Sequence, residues 1–218
     1  MTVPSNAEFI ERHAAPGRIG LCGGSDSISG LIRKAQAPLT PDGHRSLWSH
    51  AFVFSERRGD GQWWVVESDL DLRYRQVRLG VQENRASRYH DANAFPNLAI
   101  LDFHLDPAQV RQVVGSALDL LAGLSSYSLR ELGGTLLAMH STRLRGRRSL
   151  LAQEGALYCS ALVQHCYAAA GIAFHPGVHG KNIAPHDIDA SPLPHDAHRL
   201  VRDLGVSRLR RAVHSLLD

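Results

Sequence analysis

The sequence is poor in cysteine and aromatic residues and has no long apolar run. Of its 218 residues three are Cys, two are Met, and 6% are Phe, Trp or Tyr. Three cysteines cannot build a disulfide framework, and an odd count leaves at least one free thiol. No stretch approaches the ~18 apolar residues of a membrane span, so no stable membrane insertion is expected. The opening MTVPSNAEFIERHAAPG carries Glu8, Glu11 and Arg12 where a secretory signal needs an apolar segment. The expectation is a chain made in the cytoplasm, with delivery to a target-cell periplasm by a dedicated secretion machine left open. Neither sign of charge dominates: 24 Lys+Arg against 21 Asp+Glu leave a formal +3. That is too little for a nucleic-acid groove, and no nucleic-acid partner is expected. Neither HExxH nor CxxC occurs among the residues, despite 13 histidines. The pairs His175/His179 and His195/His198 are flanked by Pro176, Gly177, Pro192 and Pro194, which argue against a chelating helix. No metal and no cofactor are expected.

What is present is a globular composition, with 44% hydrophobic and 21% charged residues and no internal repeat. The length suits one domain with a real core. Arg18 to Cys22 reads as a strand, and Ser27 to Gln36 as a short helix with Ile28, Leu31, Ile32 and Ala35 on one face. HAFVFSE (50–56), the turn RRGDG (57–61) and QWWVVES (62–68) predict an antiparallel hairpin. Leu98 to His104 is a further strand, apolar on both faces. Asp106-Pro107 supplies an N-cap and an N1 proline for a helix with Val110, Val113, Val114, Ala117, Leu118 and Leu121 on its stripe. Further helices are read at Ser128 to His140, Cys159 to Ala170 and Ser207 to Leu217. Arg143 to Arg148 reads as a basic loop, and 174–198 as a Pro- and His-rich loop. Strands followed by helices predict an α+β domain.

Chemistry points first to Cys159, in ALYCSALVQHCYAAAG, where an apolar approach turns into a helix. The positive end of a helix dipole and its unpaired N–H groups favour a thiolate and can hold an oxyanion. Cys166, two turns along, reads as a core thiol. Cys22 ends a strand before Gly23-Gly24, where nothing activates it, and reads as structural. A nucleophilic cysteine needs a base, and His50 opens the first hairpin strand. If the turn centres near Gly59, His50 stands opposite Glu67 or its neighbour, within reach of a carboxylate. Asp69 remains the substitute for Glu67. A cysteine–histidine–carboxylate set follows, in which the base activates the nucleophile and the acid orients the base.

The segments GRIGLC…SISGLIRKAQ, SLWSHAFVF, WWVVESD and LYCSALVQHCYAAAG resemble the circularly permuted papain-like branch of the NlpC-type cysteine hydrolases. Within it they are most similar to the YiiX-like proteins, and more distantly to lecithin:retinol acyltransferase. The family places the base in an "S-H-x-G-I-V" strand, the acid in a "v-v-E-A" strand and the nucleophile late, in "Y-C-S-E-L-V". The resemblance thus implies His50 as base, Glu67 as orienting acid and Cys159 as nucleophile. NIAPHDIDASPL (182–193) resembles the family's closing segment, so the likeness spans most of residues 17 to 193. Arg18, Ala51-Phe52 and Ala161 depart from the pattern, and a bulky Phe52 is expected to reshape the cleft.

The resemblance implies one permuted papain-like α+β domain over 1–218, with an antiparallel sheet packed against helices. Its core would span about 17–193, with a C-terminal helix at 207–217. It implies a cysteine hydrolase that cleaves an amide bond in peptidoglycan peptides; the missing signal leaves open a role as a secreted antibacterial effector with a delivery or immunity protein. Tyr158, the Cys159 N–H, Ser160, Ser49 and Trp48 are candidates for the oxyanion or substrate site. Two alternatives stand: a thioesterase, acyltransferase or lipid hydrolase, for which Trp48 and Phe52 would suit an acyl chain, and an inactive binding module.

Overall fold

A computed structural model describes residues 3–71, 78–123 and 159–203. The chain starts with helix α1 (Asn6–His13), opened by a capping box. The Ser5 hydroxyl accepts the Glu8 N–H at 3.2 Å, and the Glu8 carboxylate accepts the Ser5 N–H at 2.7 Å. Then follow β1 (Ile19–Gly23), α2 (Ser27–Ala35), β2 (His50–Arg57), β3 (Trp63–Asp71) and β4 (Arg78–Arg85). A 3-10 turn at Ala86–Tyr89 leads to β5 (Asn97–Asp102) and α3 (Pro107–Ala122), the latter capped by Asp106 with Pro107 in its first turn. Next come α4 (Cys159–Ala169), α5 (Pro185–Asp189) and β6 (Asp196–Val201). The strands form one six-stranded sheet in the order β4-β3-β2-β1-β5-β6, each neighbouring pair antiparallel. The α+β class expected from the sequence is the class observed.

Strand periodicity divides the core in two, because successive side chains point to opposite faces. Ile19, Leu21, Ala51, Val53, Val66, Ala99 and Leu101 form one cluster with Val113 and Ala117 of α3 and with Leu162, Val163, Cys166 and Tyr167 of α4. Cys22, Phe52, Phe54, Val65, Leu98 and Ile100 face the other way, against Phe9 and Ile10 of α1 and Ala86 and Tyr89 of the 3-10 turn. The sheet is buried on both sides, which explains why its central strands lack a polar face.

Two strands were not legible in the sequence. The stretch 174–198, read as loop, contains a 3-10 turn at Gly180–Asn182, then α5, and ends inside β6. Both β6 (DAHRLV) and β4 (RLGVQENR) are edge strands, and in β6 only Leu200 is well buried. A half-solvated edge shows little apolar alternation, so its pairing is decided by the neighbouring strand. The helices read at Ser128 to His140 and Ser207 to Leu217, and the basic loop Arg143 to Arg148, lie outside the described residues.

Phe52 has a direct structural counterpart. It faces Gly20 across the β1–β2 ladder, and a Cβ built on Gly20 would lie 2.0 Å from the Phe52 ring. The ring therefore fills the volume over a glycine on the adjacent strand and stacks on Tyr89 at 4.4 Å and 8°. Its bulk is absorbed by the core.

Candidate active site

His50 is the first residue of β2 and shares a sheet face with Phe52, Phe54 and Glu67. Phe52 stands directly opposite Glu67, so His50 reaches it diagonally, with Nε2 2.6 Å from Oε2. The register expected from the turn placed His50 opposite Glu67 or its neighbour; the observed ladder is offset by a further step. The cause is the turn, which centres on Asp60 rather than Gly59, with Arg57 paired to Trp63 and the Arg58 N–H donating to the Gln62 carbonyl; the irregularity between Phe54 and Arg57 takes back one residue of the offset. Diagonal neighbours in a ladder remain within reach of long side chains, so the pair forms despite the offset.

Glu67 is fully buried and held by four donors. Oε2 takes His50 Nε2 and the Tyr89 hydroxyl. Oε1 takes Asn84 Nδ2 at 2.6 Å and Arg88 at 3.0 Å. Burial alone would push this carboxyl up, but the hydrogen bonds and charges of His50, Arg88 and Tyr89 outweigh it and hold Glu67 well below the usual carboxylate range. An ionised carboxylate only accepts hydrogen bonds, so in neutral His50 the Nε2–H is the proton donated to it. That leaves Nδ1 as the basic nitrogen. Asn84, Arg88 and Tyr89 were missed in the sequence because they sit on an unread edge strand and the turn after it.

Cys159 is the first residue of α4 and is half-buried. The helix packs on the face of β2 opposite to the one His50 points to. Two anchors fix the helix along the strand. Near its C-terminal end the Tyr167 hydroxyl donates to the Gly17 carbonyl at 2.6 Å, and the Gly17 N–H donates to Phe54 at 2.9 Å. At its N-terminal end the Ser160 hydroxyl donates to the Ile183 carbonyl at 2.6 Å. Three residues on, the His186 N–H donates to Gln36, whose amide donates to the Trp48 carbonyl beside the start of β2. Helix and strand therefore run in the same direction. Tyr167 lies eight residues beyond Cys159, about 12 Å along a helix, and Phe54 four beyond His50, about 13 Å along a strand. The start of α4 therefore lies toward the end of β2 that begins with His50, on the other face of the sheet.

The remaining candidates are built into the frame. Trp48 is fully buried and donates Nε1–H to Asp189 at 2.8 Å, so it offers no surface to a substrate. Phe52 is equally buried. The Ser49 hydroxyl accepts the Gly24 N–H at 3.0 Å and donates to the Cys22 carbonyl, and Ser160 is spent on Ile183. Tyr158 lies outside the described residues, and so do the side-chain contacts of Asp69. Cys22 is buried and stands directly opposite His50 in the β1–β2 ladder. Cys166 is buried, and burial pushes its thiol up to about 12. Beyond the site, a half-open groove of about 640 Å³ lies between α1 and the hairpin, bordered by Ile10, Glu11, Arg57, Trp63 and His90. None of His50, Glu67 and Cys159 lines it.

Among the described residues no helix is long and apolar enough to cross a membrane, and no group of three or more His, Cys, Asp or Glu is placed to hold a metal ion. No family model matches the chain, and no curated protein does. Among solved structures it is similar to the metalloprotein YiiX of Escherichia coli O157:H7, of the family DUF1105. The two share 16% identity with a TM-score of 0.53 over 87% of this chain and 98% of that one. The likeness is one of fold.

Proposed function

We propose that this chain is a permuted papain-like cysteine hydrolase that cleaves an amide bond with Cys159, His50 and Glu67. The observation that carries the reading is the His50–Glu67 pair, bonded at 2.6 Å, with Cys159 opening a helix as its first residue. In the proposed reaction the Cys159 thiol gives its proton to His50 Nδ1 and its sulfur attacks the substrate carbonyl carbon. The oxyanion formed is held by the N–H groups at the start of α4, with Tyr158 as a neighbour. Collapse of the tetrahedral adduct breaks the C–N bond, and His50 hands its proton to the departing amine. Water, deprotonated by His50, then hydrolyses the thioester and restores the thiol. Glu67 stays ionised throughout, fixing the ring orientation and stabilising the imidazolium.

By its resemblance to the NlpC-type hydrolases, the substrate assigned is a peptide bond in peptidoglycan. The acyl-transfer alternative rested on Trp48 and Phe52, and the burial of both removes that support. The description of the YiiX neighbour as a metalloprotein does not transfer to this site. Glu67 already receives two donors on each oxygen, one of them the Arg88 guanidinium, so its lone pairs are taken and its charge is balanced.

The test is incubation of the purified protein with peptidoglycan sacculi and, separately, with a lipid extract, followed by mass spectrometry. New amine and carboxyl termini in muropeptides, lost in Cys159→Ala with folding unchanged, are the expected result. Products only from lipid would move the protein to the acyl-transfer class. Products from neither would leave a binding module.

A further inference from the structure

We propose that Arg88 is a positioning residue that acts through Glu67 to set the pH at which His50 releases its proton. The proposal deepens the hydrolase reading and rests on it for its functional meaning. Its geometry is a carboxylate shared between two cations. Arg88 holds Oε1 at 3.0 Å, while His50 holds Oε2 at 2.6 Å. Arg88 is always charged, whereas His50 is charged only when protonated.

A buried carboxylate facing a histidine with no other counter-charge favours the imidazolium strongly, because the low-dielectric surroundings screen the attraction little. A histidine held permanently protonated can donate a proton but cannot accept one from a thiol. The guanidinium on the other oxygen cancels much of the carboxylate's field at His50. The side chains of Arg88 and Glu67 are 16% and 0% exposed, so water does not perform that cancellation. The other donors to Glu67, Tyr89 and Asn84, are neutral and stabilise its ionised form without offsetting its charge. Among the described contacts, Cys22 of β1 stands opposite His50, the Phe52 ring lies 6.1 Å from it, and Tyr89 lies 6.4 Å from it. Among the described residues Arg88 is thus the fixed cation bonded to the carboxylate that orients the base. A purely structural role would be to pin the Ala86–Tyr89 turn against β3, with no effect on His50 titration.

The experiment is an NMR titration of the His50 imidazole, assigned by difference from His50→Gln, in the parent protein, Arg88→Lys, Arg88→Gln and Arg88→Met. Two neutral replacements of different shape are used so that one failing to fold does not remove the test. The account predicts that Arg88→Gln and Arg88→Met each raise the His50 midpoint by about one pH unit, while Arg88→Lys, which keeps the charge, stays close to the parent. The pH dependence of Cys159 alkylation should move in the same direction. A midpoint unchanged or lowered in the folded neutral variants, or a Lys variant that behaves like Gln, overturns the assignment. Failure of the parent to cleave any amide would overturn the hydrolase reading instead, and would leave the His50 shift as a separate result.

Discussion

At the scale of single residues, the central object is a buried carboxylate with four donors. Glu67 has no exposure, and leaving it ionised there without partners would cost several kcal/mol. His50, Tyr89, Asn84 and Arg88 supply those partners, two to each oxygen. The sequence pointed to His50 and Glu67 through their place on one hairpin, but gave no hint of the other three donors. They are polar residues on an edge strand and a short turn, a setting in which polarity ordinarily means solvent. The arrangement has a consequence for acid stability. Glu67 has its folded pKa pulled down from 4.5 to about 2, so the unfolded chain binds the proton more readily. The stability contributed is complete above about pH 4.5 and is lost as the pH falls toward 2. Thermal unfolding of the parent should therefore lose stability across that window, with a shallower loss in Glu67→Gln. Equal slopes in the two proteins would show that Glu67 does not carry the effect.

At the scale of elements, the hairpin and its neighbour β1 decide where the site residues fall. The alternation of HAFVFSE and QWWVVES made the hairpin legible. Its register was not, because the turn centres on Asp60 rather than Gly59 and an irregularity between Phe54 and Arg57 then takes back one residue. His50 and Glu67 still share a face, because pairing Phe52 rather than His50 with Glu67 is a two-residue shift that keeps parity. The Phe52–Gly20 contact is the second lesson. Phe52 was expected to intrude on the cleft, yet its ring occupies space that only a glycine opposite can leave. Gly20→Ala should accordingly destabilise the fold by about 1–3 kcal/mol, read from the urea midpoint. Pairing it with Phe52→Leu should recover part of the loss. An additive double mutant would mean that the two positions do not share the volume.

At the scale of the whole molecule, a sheet buried on both faces brings together residues far apart in sequence. Helices α3 and α4 close one side, while α1 and the Ala86–Tyr89 turn close the other. The α+β class, the central strands and the capped start of α3 were all readable, because each is fixed by local periodicity or turn chemistry. The edge strands were not, because their pairing is imposed from outside. What no local pattern contains is the direction of α4 along β2. The anchors from Tyr167 to Gly17 and from Ser160 to Ile183 set it, and they turn the start of α4 toward the end of β2 that begins with His50. The likeness to YiiX spans nearly all of that protein and 87% of this chain, so it is a likeness of the whole fold.

The central claim is that Cys159 is a nucleophile served by His50. It is tested most directly by alkylating the folded protein with iodoacetamide at neutral pH and locating the adduct by peptide mass spectrometry. The account predicts fast modification of Cys159 alone, with buried Cys22 and Cys166 silent, and a rate that falls at least tenfold in His50→Ala. Modification of Cys159 at the rate of an ordinary exposed thiol, unchanged in His50→Ala, would contradict it.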